Sequence, residues 1–311
     1  MNQSQEHEPL TPTLLLQLAA PHTWPAAIMP TLVGTALALH DVGTISVSLV
    51  LAVLAIVICM QSAVNTLNDY FDFKKGADTA ENQVDKNDAV LVFNNVNPKS
   101  VKRFAIILVI LAFAIGTYVI YRAGWIPLIL GVIGAVVLCL YSGGRLPISY
   151  LPIGEFVSGF TMGTLILVAT YQALTLTLSW EAFVWSIPVL IGIGLILMTN
   201  NTCDIEKDVE AKRKTLSVMI GREKARRLYH TALYSMVLLV VLFGCIWWTK
   251  GLIIIPFALL ALYPFGKALV ANPLVLQSRV AAMSQILTVK VVVDTFYAAL
   301  ILCDAYGSLA F

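Results

Sequence analysis

Charged side chains are scarce in this chain of 311 residues, where aspartate, glutamate, lysine and arginine together make up 12% of the sequence. A soluble domain usually has about 25% charged residues. Hydrophobic residues make up 59%, and the mean hydropathy is +0.83. So low a charge content excludes an ordinary soluble domain and indicates a chain made mostly of membrane-spanning helices.

Several familiar sequence signals are missing as well. The five cysteines show no C-x-x-C spacing, which is typical of small packing residues in apolar helices. Residues 1–13 are polar and lack the basic stretch, apolar core and cleavage site of a secretory signal. We therefore expect the first span to remain in the mature protein. No H-E-x-x-H, G-x-S-x-G or Walker A pattern suggests zinc-protease, hydrolase or P-loop chemistry.

What the chain does contain is a series of nine apolar runs. Since a helix needs about 20 apolar residues to cross a bilayer, these runs predict an all-α integral membrane bundle of about nine transmembrane helices. The sequence thus predicts a polar cytoplasmic N-terminal segment at 1–13 and a single polytopic transmembrane domain at 14–311. The runs lie at 14–39, 45–68, 103–121, 124–142, 152–176, 182–201, 228–249, 251–270 and 284–308.

The basic residues are distributed unevenly between the connections. Seventeen of the 20 lysines and arginines fall in or beside the even-numbered connections, whereas Arg122 and Lys250 are in odd-numbered ones and Lys290 is inside the last run. The positive-inside rule makes the even-numbered side cytoplasmic. The sequence therefore predicts a cell-membrane protein, in the inner or plasma membrane, with a cytoplasmic N-terminus and an external C-terminus.

Two acidic motifs follow apolar runs at corresponding positions of the two halves. In the first, offsets of four and seven place Asn65, Asp69 and Asp72 on one helical face, and Asn68 pairs with Asp72 at a spacing of four. The halves thus form a weak internal repeat, and sites in such folds tend to lie between the halves.

The second motif repeats this stripe 135 positions later. Offsets of three and seven align Asn201, Asp204 and Asp208. Neighbouring carboxylates at the edge of the hydrocarbon repel one another, and a hard divalent cation removes that cost. Mg²⁺ takes oxygen ligands and typically binds one or two carboxylates together with substrate phosphates. The alternative interpretation of each motif is a solvated helix cap. The occurrence of two similar motifs in matching positions argues against that interpretation.

These residues resemble the UbiA superfamily of intramembrane aromatic prenyltransferases, and within it the menaquinone-pathway branch of MenA-like 1,4-dihydroxy-2-naphthoate polyprenyltransferases. The resemblance is carried by both acidic motifs and by residues outside them, and it reaches to about residue 221. The further residues are Pro21, His22, Thr23, Pro30, Lys74, Lys75, Gly76, Asp78, Thr79, residues 141–147, Tyr150, Gly154, Glu155, Thr215, Leu216 and Gly221.

The resemblance implies a Mg²⁺-dependent enzyme that ionises a polyprenyl diphosphate and attaches the allylic cation to an aromatic acid, with loss of CO₂ from dihydroxynaphthoate. It implies metal binding by both motifs, diphosphate binding by further polar residues, and contacts to the acceptor or the allylic cation by four more residues. The metal set is Asn65, Asp69, Asp72, Asn201, Asp204 and Asp208, the diphosphate set is Asn68, Lys75, Asp78, Lys212 and Arg213, and the acceptor or cation set is His22, Tyr141, Arg145 and Tyr150.

Alternatives remain for individual residues and for the whole chain. The tyrosines also fit an interfacial aromatic belt, Arg145 a positive-inside anchor and His22 simple packing. Residues 88–95 lack the Gly-Pro-x-Arg run that the family usually has after the first motif, and Lys212-Arg213 stands where the family favours Gly-Lys. The acceptor is therefore open between dihydroxynaphthoate, 4-hydroxybenzoate, homogentisate and a non-aromatic compound. An ion-coupled transporter is the third hypothesis, although a transporter would favour acids at mid-membrane.

Overall fold

The computed structural model describes residues 7–76, 89–143 and 147–306, and regular structure in these ranges is helical apart from one isolated bridge between Glu8 and Val96. The α-helices are α1 (Pro12–Ala19), α2 (Pro25–Val42), α3 (Val47–Lys75), α4 (Val90–Phe93), α5 (Pro98–Ala123), α6 (Ile126–Ser142), α7 (Gly154–Ser158), α8 (Ile166–Thr175), α9 (Trp180–Trp185), α10 (Ile187–Cys203), α11 (Ile205–Glu210), α12 (Leu216–Ile220), α13 (Arg222–Trp247), α14 (Ile255–Ala271) and α15 (Arg279–Tyr306). A π-helix, Gly159–Leu165, joins α7 to α8, and 3₁₀ turns occupy Pro21–Thr23, Ile148–Tyr150, Thr249–Ile254 and Leu276–Ser278.

The predicted membrane bundle is confirmed. Within the described ranges, eight helical segments are long and apolar enough to cross a bilayer, and α6 is a shorter apolar helix that brings the total to about nine. The eight segments are Pro25–Val42, Val47–Lys74, Pro98–Ala123, Gly154–Thr175, Trp180–Cys203, Arg222–Trp247, Thr249–Ala271 and Leu276–Tyr306.

The first apolar run, predicted as one span at 14–39, is divided in the structure. Helix α1 ends at Ala19, and the next residue, Ala20, has a φ of 46° in the left-handed region. The transmembrane helix α2 begins only at Pro25. Proline disfavours the right-handed helical conformation in the residue before it, so Pro21 explains the break at Ala20. The first span is therefore shorter than hydropathy alone predicts.

The largest buried cluster lies between α2, α8, α10, α13 and α15. Close helix approach at Gly34 contributes to it, because a β-carbon there would lie 2.7 Å from the carbonyl oxygen of Leu167 on α8. A second cluster joins α3 to α5, with Ala27 and Ala173 at its edge. Among its described side chains, helix α6 contributes only the partly buried Leu130 to the margin of the largest cluster. A cavity lies between α6 and helices α3, α5 and α8.

Helices α3 and α10 deliver the two acidic motifs to the same end of the bundle, which we call the motif end. Helix α3 terminates after Lys75 at Gly76, whose φ of 68° suits glycine, and α10 terminates at Cys203. The short helices α11 and α12 then carry the chain across this end to α13. Both motifs lie at the motif end because helices α3 and α10 terminate there.

Candidate active site

Asp69 of the first motif is buried and caps the short helix α4. Its Oδ2 accepts a hydrogen bond from the backbone N–H of Val90 at 2.8 Å, and its Oδ1 accepts one from Leu91 at 3.3 Å. Free N–H groups at the start of a helix favour a negative charge. Sequence reasoning missed this contact, because α4 lies in the segment where the family run is absent.

Asn65 is held one turn of helix away from the cap that Asp69 forms. Its Nδ2 donates to the carbonyl of Ala19 at 3.0 Å and to Oγ1 of Thr23 at 2.8 Å, and its Oδ1 accepts from Nε2 of Gln61 at 3.3 Å. These bonds attach the segment between α1 and α2 to helix α3. Asn65 also lines the cavity, together with Asn68.

The second motif is interrupted by a helix break that the sequence pattern did not predict. Asp204 has φ −100° and ψ 17° and separates α10 from α11, although the backbone N–H of Asp208 still donates to its carbonyl at 2.9 Å. Asn201 donates to Oε1 of Glu155 at 2.8 Å. Asn201 therefore has a partner outside the motif.

Arg279, at the start of α15, binds Asp204. Its Nε lies 3.1 Å from Asp204 Oδ2 and donates to Asn200 Oδ1 at 3.0 Å. Within the described residues, Asp204 Oδ1 is buried with no hydrogen-bond partner, and so is Oε2 of Glu155. Burial raises the pKa of Asp204, against the opposing charge of Arg279. Such unpaired acceptors are costly unless a ligand engages them.

Arg213 joins the two motifs. Its Nη2 lies 3.6 Å from Oδ1 of Asp72 on α3, and its Nη1 lies 3.5 Å from Oδ1 of Asp208 after α10. The guanidinium also stacks on Tyr150, 4.7 Å from the ring centroid. The spatial meeting of the motifs, which the sequence predicted from their helix ends, is thereby observed.

Asp208 is the most deeply buried charged group in this cluster. Its Oδ2 accepts a hydrogen bond from Oγ1 of Thr215 at 3.1 Å, and its side chain is 4% exposed. Burial raises the pKa of Asp208 to about 6, while Arg213 and the Thr215 hydroxyl act in the opposite direction. A cation near this carboxylate therefore favours its charged form.

The cavity between α3, α5, α6 and α8 opens beside these charged groups and has a volume of about 310 Å³. Polar residues line it towards the motif end, where Tyr141 lies near Glu155, Arg213, Asp72 and Asp208. Aliphatic side chains line the remainder. The site thus combines a polar mouth with an apolar interior, a shape suited to a substrate with a charged head and a hydrocarbon tail.

Of the remaining predicted residues, two are exposed and three lie wholly or partly outside the described residues. Lys212 is exposed with φ 55°, and His22 is exposed in the turn Pro21–Thr23. Asp78, Arg145 and the side chain of Lys75 lie outside the described residues.

Sequence reasoning did not assign roles to Arg279, Glu155 and Thr215. Glu155 and Thr215 were part of the resemblance, and Arg279 was counted only as one of the basic residues that set orientation.

Comparison with known proteins then decides the family. A model of the UbiA prenyltransferase family matches residues 27–284, most of the chain. The chain belongs to the UbiA prenyltransferase family. It is therefore a multi-pass membrane protein of the prenyltransferase class, as predicted, which favours an enzyme over an ion-coupled transporter.

Named relatives within the UbiA family include a bacterial and two mammalian proteins. The chain is 36% identical over 212 residues to 1,4-dihydroxy-2-naphthoate octaprenyltransferase of Bacillus subtilis (strain 168), covering 68% of this chain and 67% of the relative. It is 31% and 30% identical to UbiA prenyltransferase domain-containing protein 1 of Rattus norvegicus and Homo sapiens, over 69% of this chain. The match spans 63% of each mammalian protein, less than two thirds of its length.

Solved UbiA-family structures share the fold. A UbiA homolog from Aeropyrum pernix K1 superposes with a TM-score of 0.66 at 15% identity, covering 91% of this chain and 98% of that one. A UbiA homolog from Archaeoglobus fulgidus bound to GPP and Mg²⁺ gives 0.64 at 15% identity, covering 94% and 99%. The likeness extends over almost the whole bundle and, at this identity, concerns the fold.

Proposed function

We propose that this chain transfers a polyprenyl group from its diphosphate to 1,4-dihydroxy-2-naphthoate, with loss of CO₂, in menaquinone biosynthesis. The acceptor rests on the 36% identity to the Bacillus subtilis octaprenyltransferase. The donor rests on the shape of the site, in which an apolar cavity of about 310 Å³ opens beside the carboxylates of both motifs and the guanidinium of Arg213 that joins them. This juxtaposition is the observation that carries the proposal.

Mg²⁺ is the proposed cofactor, and the residues present fit it. They offer hard oxygen ligands, including the buried, partnerless Oδ1 of Asp204. The described residues contain no group of three Asp, Glu, His or Cys side chains placed to hold a metal by themselves. Mg²⁺ commonly binds to one or two carboxylates plus substrate phosphates, so this arrangement suits a metal that binds with the diphosphate.

Asp72, Asp204 and Asp208 are the first candidates to hold Mg²⁺, with Asp69, Asn65 and Asn201 as further oxygen donors. Asp69 Oδ1 and Oδ2 each accept a backbone N–H, and a carboxylate oxygen can take more than one partner. When bound, Mg²⁺ would neutralise charge on the departing diphosphate. The Archaeoglobus fulgidus homolog, which shares the fold, was solved bound to GPP and Mg²⁺.

The chain's own cations would bind the remaining phosphate oxygens. Arg213 lies within reach of both motifs, and its planar fork suits phosphate recognition. Lys212, Lys75, Asn68 and Asp78 remain proposed diphosphate contacts. The cationic members of this set, Arg213, Lys212 and Lys75, would stabilise negative charge as the allylic C–O bond breaks.

The apolar cavity would then limit hydrolysis of the allylic cation by excluding water. Tyr141 lines this cavity close to both motifs and would either face the cation with its ring or orient an acceptor hydroxyl. Tyr150, Arg145 and His22 are further proposed acceptor or cation contacts. The acceptor ring attacks the cation, and the carboxylate on the attacked carbon leaves as CO₂.

We further propose that the motif end faces the cytoplasm. The support is the distribution of basic residues, since 17 of 20 belong to one side of the membrane by the connection pattern. A cysteine-free background carrying Lys224→Cys or Lys250→Cys tests this, as both positions are exposed. In intact cells a membrane-impermeant thiol reagent should label the residue 250 variant and spare the residue 224 variant. The reverse pattern would invert the topology.

The function is tested with membranes containing the protein, labelled polyprenyl diphosphate, Mg²⁺ and a panel of acceptors. The panel contains 1,4-dihydroxy-2-naphthoate, 4-hydroxybenzoate and homogentisate. We expect a prenylated, decarboxylated lipid product from dihydroxynaphthoate that disappears when Mg²⁺ is chelated. If only another acceptor gives product, that compound is the acceptor and the proposed prenyl transfer still holds. If no acceptor gives product, the proposed function is wrong.

A further inference from the structure

Two glycines of α6, Gly131 and Gly134, line the cavity. A β-carbon built on either one meets no heavy atom of the described residues within 4 Å. By contrast, a β-carbon on Gly159 or Gly163 of the π-helix would lie 2.5 or 2.7 Å from the backbone of Leu190. The π-helix glycines permit close helix packing, whereas Gly131 and Gly134 keep space open in the cavity.

The positions of these glycines along α6 can be measured from the polar mouth. Tyr141, Gly134, Gly131 and Pro127 all line the cavity and lie on one face of the helix. With a rise of 1.5 Å per residue, Gly134 is about 10 Å, Gly131 about 15 Å and Pro127 about 21 Å from Tyr141 along the axis. The apolar part of the cavity therefore extends along most of α6.

Helix α3 gives a second measure of the same length. Asn68 lines the cavity at the polar mouth, and Val53 lines it at the far end. The separation of these positions in the sequence corresponds to about 22 Å of helix. The two walls agree on the length of the cavity.

A prenyl chain has a matching length scale. Each isoprene unit adds four carbon–carbon bonds, or about 5 Å when extended, since each bond is about 1.5 Å long. With the allylic carbon near Tyr141, Gly134 would face the junction of the second and third units and Gly131 the junction of the third and fourth. The far end at Pro127 would be reached by about the fourth unit.

We propose that Gly131 and Gly134 determine which prenyl chain lengths the enzyme accepts, by leaving open the part of the cavity that the tail must pass. This inference rests on the proposed donor. A larger side chain at either position would project into the space that the tail occupies, and the depth of that position would set the longest chain that still fits.

Gly116 provides a matched control. It lies on α5, also has no described heavy atom within 4 Å of an added β-carbon, and is not among the residues that line the cavity. A large side chain at Gly116 therefore tests the effect of losing a transmembrane glycine without filling the cavity. Alanine at Gly131 or Gly134 adds only the β-carbon and should preserve the wild-type donor profile.

The experiment compares kcat/KM for geranyl, farnesyl, geranylgeranyl and octaprenyl diphosphate with one acceptor and Mg²⁺. Gly134→Phe should keep geranyl transfer and lose about tenfold or more with longer donors, as expected for overfilling a packed space. Gly131→Phe should also keep farnesyl transfer. Gly116→Phe should match wild type with every donor, and leucine in place of phenylalanine should give the same order with smaller losses.

An unchanged donor profile in the Gly131 and Gly134 variants would overturn the inference, and so would an equal loss with all donors in protein that remains folded by thermal unfolding in detergent. Either result leaves the proposed function intact as long as the wild-type enzyme transfers prenyl groups. If the wild-type protein transfers none of the four donors to any acceptor in the panel, the proposed function itself has failed.

Discussion

The guanidinium of Arg213 lies 3.6 Å from the carboxylate of Asp72 on helix α3, although 141 positions separate the two residues in the sequence. The same guanidinium reaches Asp208 at 3.5 Å. One cation thus neutralises carboxylates from both halves of the chain. It holds together a cluster that like charges would otherwise force apart.

Replacing Arg213 with glutamine should therefore affect stability as well as turnover. Removing the charge leaves Asp72 and Asp208 facing each other, which should lower the free energy of unfolding by about 1–3 kcal/mol. Thermal unfolding in detergent without Mg²⁺ measures the loss. Added Mg²⁺ should reduce the difference from wild type, because the cation supplies positive charge to the same carboxylates.

Arg227→Gln is the control for that experiment. Arg227 forms an exposed ion pair with Glu223 at a spacing of four, and exposed pairs contribute little stability. This variant should unfold like wild type with or without Mg²⁺. Equal destabilisation of the two variants would show that Arg213 has no special role between the motifs.

Asp204→Asn should abolish turnover while the protein still folds and inserts. An amide keeps the size of the side chain and can still accept from Arg279, but it removes the negative charge beside the partnerless oxygen. We expect a loss of about a hundredfold or more in kcat, as for the removal of a group that stabilises developing charge. The measurement is product formation at saturating donor and Mg²⁺.

The matched control is Glu206→Gln, two residues further along the chain. Glu206 is exposed and pairs with Arg222 at 2.7 Å. Its substitution should leave turnover near the wild-type value. Full activity in Asp204→Asn would remove Asp204 from the proposed metal site.

Asp69→Asn should have a structural effect that Asp72→Asn lacks. An amide group at position 69 would point a donor at the N–H of Val90 or Leu91, and so leave one of the bonds that cap α4 unmade. That change should cost about 1–3 kcal/mol locally. Both variants should lose prenyl transfer.

Hydrogen exchange distinguishes these two variants. The amides of Val90 and Leu91 should exchange roughly tenfold faster or more in Asp69→Asn, because the local opening free energy falls. In Asp72→Asn they should exchange at the wild-type rate. Unchanged exchange in Asp69→Asn would mean that its carboxylate does not hold α4.

The ion pair between Lys290 and Asp294 on α15 should be a stability element independent of catalysis. Both side chains are buried, and within the described residues Asp294 Oδ1 has no hydrogen-bond partner. Lys290→Met leaves the Asp294 carboxylate without its counter-charge and should cost about 3–5 kcal/mol. The double variant with Asp294→Leu should recover most of that loss in thermal unfolding. A double variant less stable than the single one would contradict this account.

Composition and local spacing predicted a large part of this molecule. The apolar runs specified about nine helices, and the positions of Asp69 and Asp204 at the ends of two of them predicted that both motifs lie at one end of the bundle. Hydropathy and helical periodicity are properties of short stretches of sequence, so they can be recognised without a structure. The same reasoning was wrong about the first span, since Pro21 ends α1 before α2 begins at Pro25.

The partners of each motif residue were decided only by the tertiary structure. Spacing placed Asn201, Asp204 and Asp208 on one face, but packing gave them Glu155, Arg279 and Arg213 as separate partners. These partners come from distant segments, whose approach depends on how whole helices pack. The sequence by itself determined a membrane bundle with two acidic helix ends, because hydropathy and charge depend only on neighbouring residues in the chain. Only three-dimensional packing decided which cation neutralises which carboxylate and where the cavity lies, because both depend on contacts between helices far apart in the chain.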